Sequence, residues 1–446
     1  MMIIIFEIMY VLIVLSVTIK VIADTHNPVK TLGYLLLIVF VPVLGIFFYL
    51  SFGAIYRKRV FSGNKVSSIK DAPMPVERFK LLINGEAKFP EVVEAMKNAR
   101  DHIHIEYYIY ADDEIGNRIK DILIEKAQAG VKVRFIYDDF ASHRLGKRMA
   151  KEFHAAGVEV YPFHKIRRLR LIVLANWMNY RNHRKIIVID GKIGFLGGIN
   201  VDDRYINNGK NKVFWRDTHL MLQGQAVAGL QQVFMNDWNF CAHEQIEISE
   251  RYFPDSGEEY SDKPYSSVRI VSGGPDMKNA EIMLACMEAI TSARERLYIT
   301  TPYFIPNETI LNSIKLASLK GIDVRLLVPD VSDGRLVNAA SCSNYGELLE
   351  AGVRIYRYRK GFVHAKTMAI DDNLSVIGTA NMDIRSYDLN FEIFALAYDR
   401  KLNEELTTTF IADLSDSEEL NLEEWKNRKR LIKFGERLAG LVSPLL

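Results

Sequence analysis

The sequence predicts an α/β fold with two similar lobes in a pseudo-twofold arrangement, each a mixed sheet flanked by helices, preceded by a transmembrane helical hairpin. Three observations predict it. Two long apolar runs open the chain, strand-like and helix-like segments alternate beyond about residue 71, and the second half of that alternation repeats the first. With 446 residues, 49% of them hydrophobic and 25% charged, the chain is long enough for two medium-sized cores.

The apolar runs cover about residues 2–22 and 32–55 and flank a polar stretch at 23–30. A helix of about 20 residues crosses the hydrocarbon core of a bilayer, and each run is that long. A cleaved signal peptide fits less well, because the start has no basic region and a second apolar run follows directly. Two buried helices of a soluble protein also fit less well, since neither run has a polar face. We therefore predict two transmembrane helices within residues 1–60.

Basic residues set the predicted orientation. Arg57, Lys58, Arg59, Lys65 and Lys70 follow the second apolar run, whereas the connecting stretch is nearly neutral. Because Lys and Arg are enriched on the cytoplasmic side of membrane spans, we expect the large domain to face the cytoplasm.

Charge and cysteine content exclude some classes of protein. The net charge of +2 disfavours a protein that grips nucleic acid along its whole surface. Cys241, Cys286 and Cys342 are scattered, so neither a disulfide framework nor a zinc site is predicted, in keeping with a reducing compartment.

An internal duplication organises the rest of the chain. Each repeated segment reads as the end of a helix followed by a strand, often with glycine at the junction. Three segment pairs carry the repeat: 99–105 with 293–299, 130–135 with 321–326, and 156–161 with 351–356. We therefore predict a first lobe at 71–255, a second lobe at 256–415 and a basic C-terminal tail at 416–446.

The first half carries an insertion just before its histidine motif. Gly157 and His183 are 26 positions apart, but Gly352 and His364 only 12, which leaves 14 extra residues. They fall in 164–177, a basic stretch followed by apolar residues. Both an element lying on an anionic membrane and an ordinary loop and helix packed on the core are consistent with that pattern.

Each half contains the pattern H-x-K-x4-D. The first copy is His183, Lys185 and Asp190, and the second is His364, Lys366 and Asp371. The residues after each lysine read as a strand, in which His and Lys two positions apart project from one face and can reach one ligand. One such match is weak, but two at equivalent points of a duplication point to a shared function.

A small-residue motif follows each histidine motif. Gly198 and Asn200 belong to the sequence GGIN, and Thr379 and Asn381 to GTAN. Small residues permit close backbone approach to a ligand and asparagine offers an amide donor, so we predict that these residues support a bound phosphate.

Two His, two Lys and two Asn meeting between lobes are a set suited to phosphodiester chemistry. A neutral imidazole can attack phosphorus, a protonated one can release the leaving alkoxide, and lysines stabilise the non-bridging oxygens. We expect a phosphohistidine intermediate and no cofactor or metal, because Lys185 and Lys366 supply the positive charge.

These motifs resemble those of the phospholipase D superfamily, and within it those of bacterial cardiolipin synthases. The second resemblance extends to Trp215-Arg216-Asp217, Asn381 to Ser386, Asn390-Phe391-Glu392 and the terminus 443–446. It implies two phospholipase D-like lobes anchored to a bacterial cytoplasmic membrane by the two N-terminal spans. It also implies that Asp217 in the first half and Glu392 in the second fix the tautomers of the catalytic histidines. Asp190 and Asp371, although part of the catalytic motifs, are better suited to a structural role.

The resemblance implies a reaction in which one phosphatidylglycerol gives its phosphatidyl group to a second, forming cardiolipin and glycerol. We expect His183 to be the nucleophile and His364 the acid and then the base. The partners are then phosphatidylglycerol and membrane lipid, not nucleic acid, and the oligomeric state stays open. A membrane-bound phospholipase, in which water resolves the intermediate, is one alternative. A non-catalytic lipid-binding protein is another, although intact His and Lys in both motifs disfavour it.

Overall fold

The computed structural model describes residues 2–24, 28–50, 71–163, 180–242, 244–254 and 266–441. The predicted insertion at 164–177, the basic residues at 57–70 and the terminus at 443–446 lie outside these residues.

The first lobe is a seven-stranded mixed sheet in the order β2-β9-β7-β6-β3-β4-β5. Strands β3, β4 and β5 are parallel, and the other neighbouring pairs are antiparallel. The strands are β2 (Arg78–Ile83), β3 (His102–Tyr107), β4 (Lys132–Asp138), β5 (Glu159–Phe163), β6 (Lys185–Ile189), β7 (Ile193–Gly197) and β9 (Thr218–Gln223). The helices are α4 (Asn84–Asn98), α5 (Glu114–Gln128), α6 (Gly146–Ala155) and α7 (Val227–Ala242).

The second lobe is a nine-stranded mixed sheet in the order β1-β10-β19-β17-β16-β11-β13-β14-β20. The strands are β1 (Met74–Pro75), β10 (Ser267–Gly273), β11 (Arg296–Thr300), β13 (Asp323–Pro329), β14 (Arg354–Tyr358), β16 (Thr367–Ile370), β17 (Leu374–Gly378), β19 (Glu392–Tyr398) and β20 (Ser417–Glu419). The helices are α8 (Glu281–Ser292), α9 (Glu308–Leu319), α10 (Arg335–Cys342), α11 (Tyr345–Glu350), α12 (Ile384–Asp388), α13 (Arg400–Ser415), α14 (Leu422–Lys426) and α15 (Arg430–Leu441). Four short strands form separate pairs: β8 (Phe214–Arg216) with β15 (Gly361–Val363), and β12 (Phe304–Ile305) with β18 (Met382–Asp383).

The duplication is visible in the strand pairing. Strand β3 pairs with β4 in parallel and with β6 antiparallel, and β11 pairs in the same way with β13 and β16. Each histidine motif therefore leads into a strand at the same place in its sheet. The prediction of a mixed α/β fold with two similar lobes is confirmed.

The strands after the histidine motifs are apolar throughout because both faces of each sheet are covered. In β6, Ile187 and Ile189 pack in the core of the first lobe, while Ile186 and Val188 pack in a cluster shared with the second lobe. That shared cluster includes Ile377 of β17 and the fully buried residues Ile393, Ala395 and Ala397 of β19. Burying a large apolar side chain contributes about 1.5–3 kcal/mol, so separating the lobes would be costly. The site between them is accordingly held rigidly.

Two short strands depart from the predicted lobe boundaries. Residues Met74–Pro75 pair with β10 and so join the second sheet, although they lie within the predicted first lobe. Residues Ser417–Glu419, at the start of the predicted tail, pair with β14 at the other edge of that sheet. The second lobe thus draws strands from both ends of the soluble region.

The N-terminal region forms three helices, α1 (Met2–Asp24), α2 (Pro28–Phe40) and α3 (Pro42–Phe48). They pack through a small core that includes Val21, Ile38 and Tyr49. None of the helices in the described part of the chain is both long and apolar enough to cross a membrane.

Candidate active site

Both predicted histidines line one cavity of about 420 Å³ between the lobes. His183 and Asn200 come from the first lobe, and His364 and Asn381 from the second. Aromatic and basic side chains line the same space: Tyr108, Tyr205, Trp215, Tyr303, Arg181, Arg204 and Arg385. A single site built from equivalent positions of both halves is therefore present.

His183 is placed by a backbone contact with the second lobe. Asn182 forms an isolated bridge with Phe391, and the His183 amide donates to the Phe391 carbonyl at 2.9 Å. The residue after Phe391 is Glu392, whose two carboxylate oxygens lie 3.0 and 2.9 Å from His183 Nδ1. The strand contact thus brings the carboxylate of one lobe to the histidine of the other.

His364 is placed by the reciprocal contact. Strand β15, which precedes it, runs parallel to β8 of the first lobe, and the His364 amide donates to the Arg216 carbonyl at 2.7 Å. The next residue, Asp217, accepts a hydrogen bond from His364 Nδ1 at 2.7 Å.

The carboxylates are thus exchanged between the lobes. Assigning Asp217 to the first half and Glu392 to the second describes where each residue lies in the sequence. It does not describe which histidine each contacts, because Glu392 serves His183 and Asp217 serves His364. The reason is the crossed strand pairing just described.

Both carboxylates remain ionised although they are fully buried. Burial by itself raises the pKa of Glu392, but His183, Lys185 and a hydrogen bond from Thr379 together lower that pKa to about 2. Burial likewise opposes ionisation of Asp217, yet Lys366 and His364 hold its pKa below the usual range. Each carboxylate therefore fixes the Nδ1 proton of its histidine and leaves Nε2 as an acceptor.

The imidazoles are neutral near pH 7 in the absence of a ligand. Burial is the main cause, and it lowers the pKa of His183 to about 4 and that of His364 to about 3. An anionic phosphate entering the cavity would favour protonation of one ring. Such a site suits a reaction in which one histidine attacks and the other delivers a proton.

The lysines lie behind the histidines instead of lining the cavity. Lys185 Nζ donates to the His183 carbonyl at 2.6 Å, and Lys366 Nζ donates to the His364 carbonyl. Burial lowers the pKa of Lys185 to about 7 and that of Lys366 to about 8. The ammonium groups contact backbone carbonyls, and Lys366 Nζ also lies 2.9 Å from His364 Nδ1. That His and Lys reach one ligand side by side stays a prediction. The charge of the lysines still acts on the site through Glu392 and Asp217.

The two small-residue motifs differ in how they support the carboxylates. A Cβ on Gly198 would lie 2.1 Å from Asp217 Oδ1, so only glycine leaves room for that carboxylate. At the equivalent point of the second lobe, the Thr379 hydroxyl donates to Glu392 Oε2 at 2.5 Å. These two residues contact the carboxylates, so a role in binding phosphate directly is not what the geometry shows.

The asparagines do line the cavity. Asn200 donates to the Tyr205 hydroxyl at 2.7 Å and accepts from the Ile109 amide at 3.2 Å. Within the described residues, Asn381 Oδ1 is buried without a hydrogen-bond partner. A ligand with a donor group could satisfy this oxygen.

Asp190 and Asp371 each stand at the far end of the strand that follows the histidine motif. Because a strand advances about 3.3 Å per residue, both carboxylates lie well away from the histidines of their motifs. Asp190 accepts hydrogen bonds from the amides of residues 100–102 at 2.8–2.9 Å. Asp371 does the same for residues 294–296 at 2.8–3.2 Å. Both adopt positive φ, of 52° and 47°. They hold the start of a neighbouring strand within their own lobe, which favours the structural role predicted for them.

Sequence reasoning missed the arginines of the cavity wall. Arg204 and Arg385 each follow the asparagine of their motif by four positions, in the pattern N-x-D-x-R. Because the pattern recurs at the spacing of the repeat, comparing the two halves beyond the asparagines would have found both. Arg181 has no such counterpart, since the equivalent residue of the second half is Phe362.

A duplicated fold with one histidine, one lysine and one carboxylate from each half defines a phospholipase D-type site for phosphodiester chemistry. Comparison with known proteins agrees. The family profile described as "Cardiolipin synthase, PLD-like domain" matches residues 92–238 and 286–414, and "Phospholipase_D-nuclease N-terminal" matches residues 8–53. The chain therefore belongs to the cardiolipin synthase family of phospholipase D-like proteins.

Individual relatives cover almost the whole chain. A cardiolipin synthase of Geobacillus sp. (strain WCH70) is 40% identical over 95% of this chain and 90% of its own length. Cardiolipin synthase 2 of Bacillus anthracis is also 40% identical, over 95% of this chain and 88% of its own. Among solved structures, phosphatidylserine synthase of Haemophilus influenzae Rd KW20 matches with a TM-score of 0.64 at 17% identity, covering 84% of this chain and 98% of its own. That match shows the shared fold.

Proposed function

We propose that the two histidines transfer a phosphatidyl group from one phosphatidylglycerol to another, which yields cardiolipin and glycerol. The observation that carries this proposal is the pair of imidazoles that line one cavity, each held at Nδ1 by a buried carboxylate of the other lobe. Cardiolipin synthases related over most of the chain support the choice of substrate and product.

In the first step, Nε2 of His183 attacks the phosphorus of phosphatidylglycerol. A P–N bond forms, the bond from phosphorus to the headgroup glycerol breaks, and the departing oxygen takes a proton from His364. Glycerol leaves, and the phosphatidyl group remains on His183. In the second step, the hydroxyl of another phosphatidylglycerol gives its proton to His364 and attacks the phosphorus. The P–N bond breaks and cardiolipin is released.

One feature supports His183 as the nucleophile. Glu392 approaches its Nδ1 with both oxygens, whereas only one oxygen of Asp217 contacts His364. A carboxylate that accepts the Nδ1 proton keeps the lone pair on Nε2, the atom that attacks.

Charge at the cavity wall supports a substrate with two lipid phosphates. Arg181, Arg204 and Arg385 line the space that the histidines face. The reacting phosphate and the phosphate of the acceptor lipid are joined through one glycerol in the product, so both must fit the same cavity. Arginine suits such groups because its planar fork binds phosphate through two hydrogen bonds.

We further propose that the N-terminal helices anchor the chain in the bacterial cytoplasmic membrane as a hairpin with the lobes on the cytoplasmic side. Large apolar side chains of α1 and α2 face outward, among them Leu12 (57% exposed), Leu15 (52%), Val39 (66%) and Phe40 (77%). Washing membranes with alkaline carbonate should leave the chain in the membrane, and release of the chain would contradict the hairpin. Protease added to the cytoplasmic face should digest the lobes, and protection of the lobes from that protease would contradict the orientation.

Product analysis tests the proposed reaction. The purified full chain receives phosphatidylglycerol as its sole lipid, and mass spectrometry identifies the products. Cardiolipin plus glycerol is expected from the native chain and should be lost in His364→Ala. The exposed His154 offers a matched control, since His154→Ala should leave the yield unchanged. Phosphatidic acid alone would indicate a phospholipase, and no turnover would favour a binding protein.

A further inference from the structure

Helix α15 carries an apolar stripe on the side that faces away from the protein. Four large side chains, spaced by three, four and three residues, form it: Leu431 (83% exposed), Phe434 (66%), Leu438 (54%) and Leu441 (77%). This spacing places them along one side of the helix. The buried residues of the same helix, Glu436 and Ala439, lie on the other side and face the second lobe.

Basic residues border the stripe. Arg430, Lys433 and Arg437 fall between the apolar stripe and the buried side in the helical projection, and Arg430 and Arg437 are exposed. A helix with a continuous apolar face beside Lys and Arg is the type that lies in the interface of an anionic membrane.

The helix is fixed to the second lobe. Both guanidinium Nη atoms of Arg428 donate to Glu436, at 2.6 and 2.9 Å. The same guanidinium lies 3.2 Å from the centroid of the Trp425 ring, which is buried in the core of the lobe. The apolar stripe is therefore held in a set orientation.

The inner side of the helix reaches the wall of the catalytic cavity. Ala439 packs in a small cluster with Ala340 and Ile305, and Ile305 lines the cavity. One layer of side chains thus separates the inner side of α15 from the reacting space.

Two further large apolar side chains are exposed in the segment that forms part of the cavity wall. Val331 is 72% exposed and Leu336 is 48% exposed. They lie in the same segment as Asp333 and Val337, which line the cavity.

We propose that the α15 stripe, together with Val331 and Leu336, docks in the interface of an anionic membrane and holds the cavity against it. Lipid headgroups then enter the site without leaving the bilayer. The basic border attracts anionic lipid and repels a second copy of itself, which favours a membrane over self-association. The choice of an anionic lipid rests on the proposed function.

Contact between the protein and lipid can be measured by a signal that does not depend on turnover. The full chain is reconstituted in phosphatidylglycerol vesicles that contain brominated lipid, with one tryptophan added at Phe434→Trp or, as a control, at Leu319→Trp. Leu319, at the end of α9, is 69% exposed, but Leu316 is the one other large apolar side chain exposed on its helix, so Leu319 belongs to no stripe of this length. The added fluorescence should be blue-shifted and quenched at position 434 only. Equal quenching, or none at 434, would overturn the docking surface.

Rates with two forms of the substrate separate docking from folding. In Phe434→Ser/Leu438→Ser, the apparent KM for long-chain phosphatidylglycerol in vesicles should rise at least about tenfold, because two apolar anchors are lost. The rate with a short-chain, monomeric phosphatidylglycerol should not change. Leu319→Ser, the same chemical change elsewhere, should affect neither. An equal loss with both substrates would show that α15 merely supports the fold and would overturn the inference.

The basic border has its own readout. Arg430→Gln and Arg437→Gln should each raise the apparent KM for phosphatidylglycerol in vesicles about fivefold at low salt. High salt should remove this difference between the variants and the native chain. A dimer that Phe434→Ser dissociates, detected by light scattering, would instead assign the stripe to a second copy and overturn the proposal. Failure of the native chain to form cardiolipin would refute the proposed function, whereas absent quenching refutes docking alone.

Discussion

Replacing Glu392 by Gln tests the exchange of carboxylates between the lobes. In the native chain, Glu392 accepts the Nδ1 proton of His183 at 2.9 Å and the Thr379 hydroxyl at 2.5 Å. Glutamine keeps the shape but can present its amide N–H groups to Nδ1. The imidazole then favours the tautomer with the proton on Nε2, where the lone pair is needed for attack.

The expected loss is large. The same change of carboxylate to amide beside the histidine of a Ser-His-Asp triad lowers kcat about 10⁴-fold. In the proposed mechanism the imidazole is itself the attacking group, and Lys185 also loses a neighbouring negative charge. We therefore expect Glu392→Gln to lower kcat by about 10³ to 10⁴, which corresponds to about 4–5.5 kcal/mol. The exposed Glu347 provides the matched control Glu347→Gln, which should be silent.

A substrate with a good leaving group identifies which histidine each carboxylate serves. Phosphatidyl-p-nitrophenol needs no acid for the first step, so the burst of nitrophenolate depends on the nucleophile alone. Asp217→Asn should retain this burst, because Asp217 contacts the histidine that acts as the acid. Glu392→Gln should lose it. The reverse pattern, or equal loss in folded variants checked by near-UV circular dichroism, would refute the reasoning.

Three further predictions concern the surroundings of the histidines. Gly198→Ala should displace the Asp217 carboxylate and lower activity at least about 100-fold, whereas Gly435→Ala, with open space around its Cβ, should leave steady-state rates unchanged. Lys185 has a pKa of about 7, so its charge is lost as pH rises through that value, and kcat/KM should fall. Lys185→Arg should move this fall to higher pH, because arginine stays charged. An unmoved pH profile would contradict the assignment of the fall to Lys185. Asp190→Asn removes the oxygen that accepts from the Arg100 amide and the negative charge that the Asp101 and His102 amides face, so denaturant unfolding should show a loss of about 1–3 kcal/mol with kcat nearly unchanged. A selective loss of kcat would instead make Asp190 catalytic.

Much of the fold could be predicted because the internal repeat consists of local sequence patterns. Glycine junctions such as Gly130 and Gly321 mark helix ends, and apolar strands such as Ile186–Ile189 follow each histidine motif. The two-residue strand at Met74 and the short strand at Ser417 could not be predicted. Strands of two or three residues have no period, and they form only because the edges of the second sheet are available to them.

The site could be predicted as a set of residues but not as a set of contacts. The partners His183 and Glu392 are 209 positions apart, and His364 and Asp217 are 147 apart. Their pairing follows from strand contacts between the lobes, which no local pattern encodes. The Lys185 ammonium contacts the His183 carbonyl at 2.6 Å, and the H-x-K pattern does not encode this orientation of the side chain.

Trapping the covalent intermediate tests the central claim most directly. ³²P-labelled phosphatidyl-p-nitrophenol, whose leaving group needs no acid, is mixed with the native chain and with folded His183→Ala and His364→Ala, and the protein is isolated and probed for acid-labile, alkali-stable label. We expect label on His364→Ala at residue 183 and none on His183→Ala. Label on His183→Ala at residue 364 would reverse the two roles, and label on neither variant nor the native chain would contradict a phosphohistidine mechanism.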